Sequence, residues 1–232
     1  GDAFVDSVGA NGVLDCFETA SATFRRDGSN SVKASALRLM MATTTHGTRE
    51  LATPEPEKLR AHAKMLRREY ERATGSTKTV RGLILRLLGA MHVGMHSRGL
   101  ALADDEAISD VPTVTWLLTS ACRILDAALD EEDDVRKEAV LMSSAIDAIS
   151  SALRVYTKED RAIHARVVRI LGSVLKPLTG ARTDVPKAAL SLLSAHAKTL
   201  RHELVTIAAS VFEIVLNMRG EKNKDLSRCA SE

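Results

Sequence analysis

Four stretches of the chain begin on a valine, continue with apolar residues at helical spacing, and recur at nearly equal intervals. They read VKASALRLM from residue 32, VRGLILRLL from 80, VRKEAVLMS from 135 and VPKAALSLL from 185, so their starts lie 48, 55 and 50 residues apart. A polar turn precedes each stretch. A period of this size is typical of stacked supersecondary units, in which each unit buries its apolar face against the next. The pattern therefore predicts an array of similar helical units.

A second set of amphipathic segments alternates with these stretches, at 13–26, 57–74, 112–130 and 158–178, and a ninth segment covers about 202–219. No run alternates with period two, and seven aromatic residues in 232 are few for a sheet protein. We predict an all-α fold, as one repeat domain over 1–219 followed by a polar, flexible tail at 220–232. The apolar positions, spaced i, i+3/i+4, include Val13, Phe17, Ala20 and Phe24, then Leu59, Ala63, Leu66 and Tyr70, then Leu117, Ala121, Leu125 and Ala128, and finally Leu204, Ile207, Val211, Ile214 and Met218.

One repeated stretch carries a recognisable motif. In DDVRKEA, Asp133 stands in the turn, Val135 and Arg136 open a helix, and Ala139 follows three residues beyond the arginine. The motif resembles that of HEAT repeats, which are close relatives of armadillo repeats. DGSNSVKASAL and TDVPKAAL match it in part, and TGSTKTVRGLIL has the Val-Arg pair without the acid. The resemblance spans most of the chain and implies a right-handed α-solenoid of about four helix pairs plus one extra helix.

HEAT arrays occur in many kinds of protein, so the resemblance implies a mode of action and no particular partner. We expect a non-enzymatic protein-binding scaffold, a monomeric domain cut from a larger intracellular protein of the cytoplasm, with the cytoskeleton and the nucleus as further settings. Partners would bind the groove lined by the second helices or the turns inside the repeats, at 26–31, 74–79, 130–134 and 179–185.

Two narrower functions remain open. One is a tubulin- or microtubule-binding array of the TOG type, a HEAT domain that binds through the turns inside its repeats. Lys33, Lys78 and Arg81 lie near such turns, but the turn at 130–134 is acidic and the first turn has no tryptophan. The other is an RNA-binding HEAT scaffold of the kind found as the middle domain of translation factors, and it rests on one basic segment alone.

That basic segment is one half of an uneven charge distribution. Residues 58–86 hold nine Lys/Arg against two acids, and residues 104–138 hold eleven acids against three bases, although the net charge is only +2. The segment is either a solvated helix face or a patch for an acidic peptide, tubulin or RNA phosphate. Nucleic acid is the less favoured partner, because no aromatic stacking residues accompany the cations. The predicted partner-binding residues, of which Lys64, Arg67 and Arg68 are expected to be exposed, are Arg60, Lys64, Arg67, Arg68, Lys78, Arg81 and Trp116. For Trp116, packing against the neighbouring repeat is the favoured interpretation, and an exposed interface anchor is the alternative.

Two clusters could suggest a metal ion. The acids at 130–134 lack the central glycine and distal glutamate of a calcium loop, so we expect a helix-capping turn. His92 and His96 are spaced i, i+4, but Val93 stands where a zincin motif has its glutamate, so polar packing at a helix end is the expectation. We predict no metal and no cofactor.

The sequence offers no pattern for catalysis or for a membrane span. It contains no Gly-x-Ser-x-Gly elbow, phosphate-binding glycine loop or Cys-x-x-Cys pair, and Cys122 lies in an amphipathic helix where packing is expected. Charges interrupt the longest apolar runs. Three widely spaced cysteines fit a reducing compartment. We therefore expect neither an enzyme nor a membrane-bound chain.

Overall fold

A computed structural model describes residues 2–26, 28–46, 55–72, 78–103, 110–130, 139–156, 160–175, 184–209 and 211–212. In these ranges all regular structure is helical, which confirms the predicted all-α class. The chain divides into two compact units, Gly1–Leu117 and Leu118–Glu232. The helices are α1 (Asp2–Arg26), α2 (Asn30–His46), α3 (Pro56–Arg72), α4 (Lys78–His96), α5 (Val114–Asp130), α6 (Ala139–Val155), α7 (Arg161–Leu175), α8 (Asp184–His196) and α9 (Arg201–Leu204).

In the first unit, α4 lies at the centre. It packs against α2 and α3, and α2 packs in turn against α1. Apolar residues occupy most of the circumference of α4, so it buries side chains on several faces, among them Val80, Ile84 and Leu87. The valine that opens this repeated stretch is thus a core residue, as the repeat pattern predicts.

In the second unit, α6 packs against α8, and α7 packs against both α8 and α9. Helix α6 buries most of the residues in its middle, including Ile146 and Ile149. Val185, which opens the fourth repeated stretch, is also buried. Val135 and the acidic turn at 131–134 lie outside the described residues, so their predicted roles stay predictions.

Local capping sets several helix ends. The Asp160 carboxylate accepts hydrogen bonds from the backbone N–H groups of Ala162 and Ile163 at 3.0 and 3.2 Å, and so caps the start of α7. Thr113 Oγ1 accepts from the Trp116 N–H at 3.1 Å at the start of α5. At the end of α4, Gly99 has φ +70°, the left-handed conformation that a helix-terminating glycine adopts at low cost.

The predicted apolar stripes are confirmed in α1, α3 and α5, where the residues at the predicted positions 13–24, 59–70 and 117–128 are buried. The ninth helix differs from its prediction. Continuous helix α9 ends at Leu204 and is followed by a turn at 205–207, and Ile207 and Val211 are only half-buried. In the described structure α9 packs against α7. Residues 213–232, including the predicted tail, lie outside the described residues, and the single-domain prediction stays a prediction. Among the described helices, none is long and apolar enough to cross a membrane.

Candidate functional site: the basic face of α3

Helix α3 carries its apolar and its basic residues in two adjacent stripes. Its buried stripe consists of Leu59, Ala63, Leu66 and Tyr70. Most of the cations occur one position further along the chain, which turns them about 100° around the helix axis. They run along the helix at i, i+4, i+7 and i+8. We call this set the α3 basic face and define it as Arg60, Lys64, Arg67 and Arg68.

The first cation of the face holds the chain that leaves α4. Arg60 Nη2 donates to the carbonyl oxygen of Ala101 at 3.0 Å, and Arg60 Nε donates to that of Leu102 at 3.2 Å. Its third contact is with Glu57, at 2.6 Å. The Leu102 side chain is buried beside this junction. Arg60 thus fixes the start of the segment that connects α4 to α5.

The middle of the face binds a carboxylate. Asp110 Oδ2 accepts from Lys64 Nζ at 3.0 Å and from Arg68 Nη2 at 3.1 Å. The side chains of Lys64, Arg68 and Asp110 are 42%, 60% and 60% exposed, so water surrounds the whole cluster. The hydrogen bond from Lys64, followed by that from Arg68, lowers the pKa of the Asp110 carboxyl below its ordinary value. At neutral pH this carboxyl is therefore ionised and held between two cations.

Arg67 lies against the start of α5. Its guanidinium stands over the Trp116 ring at 5.4 Å from the ring centroid and also pairs with Glu71 at 3.0 Å. Trp116 meets Tyr70 edge to face, with ring centroids 5.3 Å apart and planes 77° apart. Such cation–π and aromatic contacts stabilise a specific packing geometry. Trp116 therefore packs on α3 and is half-buried.

Arg81 completes this aromatic cluster from α4. Its guanidinium carbon lies 4.6 Å from the centroid of the Tyr70 ring, on which it stacks. Its Nε is buried and has no hydrogen-bond partner in the described structure. The cation–π contact with the Tyr70 ring is the interaction that offsets the burial of this group. Lys78, the first residue of the same helix, is half-buried.

The α3 basic face is thus neither a fully solvated helix face nor a set of unpaired cations, because each of its four residues has a partner within the first unit. The expected exposure of Arg68 is confirmed, and Lys64 is half-buried with 42% of its side chain exposed. The expected exposure of Arg67 is wrong, because its side chain is 28% exposed and packs on Trp116. Sequence reasoning missed Asp110 and the two carbonyl acceptors. Asp110 lies about 40 residues along the chain from its partners, and the one available signal was the opposite charge of the two segments.

Of the other residues considered for metal binding or catalysis, His92 and Cys122 are buried and His96 is exposed. The Nε2 of His92 donates to the Pro112 carbonyl oxygen at 3.0 Å. Cys122 is buried as predicted, and burial raises the pKa of its thiol to about 11, so it is a protonated thiol at neutral pH. No group of three or more His, Cys, Asp or Glu among the described residues could hold a metal ion.

One constellation has the residue types of an acyl-transfer triad. Ser21 Oγ is hydrogen-bonded to His62 Nδ1 at 3.0 Å, and His62 Nε2 lies 3.6 Å from Glu18 Oε1. Ser21 is fully buried, however, so its hydroxyl cannot meet a substrate without local opening. Phe17 packs edge to face on His62, with centroids 5.0 Å apart. The cluster joins α1 to α3 within the core of the first unit.

Comparisons of the chain with protein-family models, with curated proteins and with solved structures find no match.

Proposed function

We propose that this chain is a non-enzymatic α-solenoid scaffold of HEAT type that binds an acidic segment of a protein partner at the α3 basic face. The observation that carries the proposal is Asp110, a carboxylate already seated between Lys64 and Arg68. Two cations that converge on one carboxylate oxygen provide the geometry that a partner aspartate or glutamate requires.

The solenoid part of the proposal draws on the packing of the repeated helices. In the first unit, α2 and α4, which contain the first two valine-led stretches, pack against each other. In the second unit α6, which follows Val135, packs against α8, which contains Val185. Contact between consecutive helices of the same kind is what stacked repeats require.

Tubulin binding of the TOG type has less support. It would use cations near the intra-repeat turns, but Lys33 forms a 2.6 Å ion pair with Glu69 on α3 and stands 5.5 Å from the Phe24 ring centroid. Arg81 is stacked on Tyr70. RNA binding lacks an exposed aromatic platform on α3, since the two rings near the basic face, Tyr70 and Trp116, pack against each other.

The test is a binding titration by fluorescence anisotropy with a short labelled polyglutamate peptide. The double variant Lys64→Gln/Arg68→Gln removes the two exposed cations and leaves Arg67 on Trp116. The matched control, Lys187→Gln/Arg169→Gln, removes one exposed lysine and one exposed arginine from the second unit. We expect the first variant to lose about ten-fold or more in affinity and the control to lose much less. The melting temperature of each variant verifies its fold.

Equal losses in the two variants would contradict the proposal, because they would show attraction by net charge without a site. A short oligouridine serves as the second probe. If it bound more tightly than polyglutamate, with a steep dependence on salt, the RNA-binding alternative would take precedence.

A further inference from the structure

We infer that Asp110 is a built-in competitor of the partner: it occupies the cation pair in the free protein and must leave when an acidic segment binds. The inference rests on the proposed function and adds a form of regulation to it. The ion pairs between Asp110 and α3 would then be an autoinhibitory contact.

The backbone near Asp110 is anchored independently of its carboxylate. Two residues further on, Pro112 is buried and its carbonyl oxygen accepts the 3.0 Å hydrogen bond from His92 Nε2. Thr113 caps α5 through the Trp116 N–H. These contacts do not involve the Asp110 side chain. A rotation of that side chain away from Lys64 and Arg68 therefore leaves both anchors intact.

The anchors tether the carboxylate near its two cations. A tethered group competes with an effective concentration set by its tether, and a short tether makes that concentration high. The pairs themselves are weak, however, because all three side chains are substantially exposed and water screens them. A segment with several carboxylates can therefore displace Asp110, whereas a single free carboxylate competes poorly.

Removal of the competitor should strengthen binding. We expect Asp110→Asn to bind the polyglutamate peptide about three- to ten-fold more tightly than the unaltered chain. Asp110→Glu keeps the charge and should bind close to the unaltered chain. Asp15→Asn is the matched control, since it removes the same charge from an exposed position on α1 in the same unit and should have a much smaller effect.

A second measurement follows Asp110 itself by the carbonyl NMR resonance of its side chain. Saturating peptide should raise the pKa of this carboxyl toward its ordinary value, because Lys64 and Arg68 no longer stabilise the ionised form. An unmoved Asp110 titration in the presence of bound peptide would overturn the inference. So would equal affinities of Asp110→Asn and Asp15→Asn.

The two proposals fail in distinguishable ways. If the peptide binds and Lys64→Gln/Arg68→Gln abolishes binding, but Asp110→Asn leaves the affinity unchanged, the competitor is overturned and the proposed function stands. If neither the unaltered chain nor Asp110→Asn binds the peptide, both are overturned. If oligouridine and not polyglutamate raises the Asp110 pKa, the face accepts nucleic acid and the acidic-peptide competitor is overturned.

Discussion

At the scale of single residues, five of the cations predicted to meet a partner make specific contacts inside the first unit. Arg60 binds two carbonyl oxygens, Arg67 and Arg81 lie over aromatic rings, and Arg68 shares a carboxylate with Lys64. A guanidinium can donate hydrogen bonds to carbonyls and carboxylates and stack on aromatic rings, because it is planar and has five donors. Removing Arg60, Arg67 or Arg81 therefore tests packing as well as binding, and the cleaner binding tests use Lys64 and Arg68.

Two histidines, the half-buried His62 and the buried His196, predict how stability depends on pH. Burial, the largest cause for each, lowers the pKa of His62 and of His196 below the ordinary value of 6.5. For His62, Glu18 opposes this effect, and for His196 the charge of Arg154 adds to it. In the folded state each ring accordingly stays neutral to a lower pH than in the unfolded state. Each histidine's contribution to the free energy of unfolding is fully present above pH 6.5. This contribution is lost as the pH falls through the folded-state pKa.

The measurement is the urea midpoint at about pH 8 and about pH 5. We expect the midpoint to fall at the lower pH, and we expect His62→Gln and His196→Gln to reduce the size of that fall. Both partners are serines, Ser21 and Ser150, which can hydrogen-bond to glutamine as well. An undiminished fall in both variants would assign the pH dependence to carboxylates instead.

At the scale of elements, the end of α4 depends on one glycine. Leu100 N–H donates to the Met95 carbonyl and Gly99 N–H donates to the His96 carbonyl, at 3.0 and 2.9 Å, which is the Schellman pattern of helix termination. This turn directs the chain toward Arg60, which binds the next two carbonyls. The chain that leaves α4 therefore starts with a backbone conformation that residues with a side chain rarely adopt.

Gly99→Ala should therefore destabilise the protein by about 1 kcal/mol, since an L residue in the left-handed region costs that much. A Cβ at Gly99 would meet no atom within 4 Å, so the expected cost is conformational and not steric. Gly28→Ala is the matched control, because a Cβ there also meets no atom within 4 Å and its φ is not in the left-handed region. Equal shifts in the urea midpoint for the two variants would show that the left-handed conformation is not what makes Gly99 necessary.

At the scale of the whole molecule, the chain is expected to contain helix and negligible sheet, including the ranges that the structure does not describe. The reason is that the 3.6-residue apolar spacing extends through nine segments and no segment alternates with period two. Far-ultraviolet circular dichroism of the full chain is the measurement. A substantial sheet component would contradict both the repeat pattern and the HEAT resemblance.

The sequence by itself determined the helical class and the inward faces of the helices. These follow from local periodicity: the spacing of Phe17 and Phe24, or of Leu59 and Leu66, decides which face of a helix leaves water, whatever partner it meets. The same periodicity placed Tyr70 in the core and predicted a basic stripe beside it.

Only the tertiary structure decided what the basic stripe contacts. Lys64 and Asp110 are 46 positions apart, and Tyr70 and Trp116 are equally far apart, so no local pattern relates them. Their meeting depends on the turn at Gly99, on Arg60 and on the cap at Thr113, which fix the described ends of the connection between α4 and α5. Periodicity reports which face of an element is buried, whereas the pairing of two distant charges is decided by the path of the chain between them.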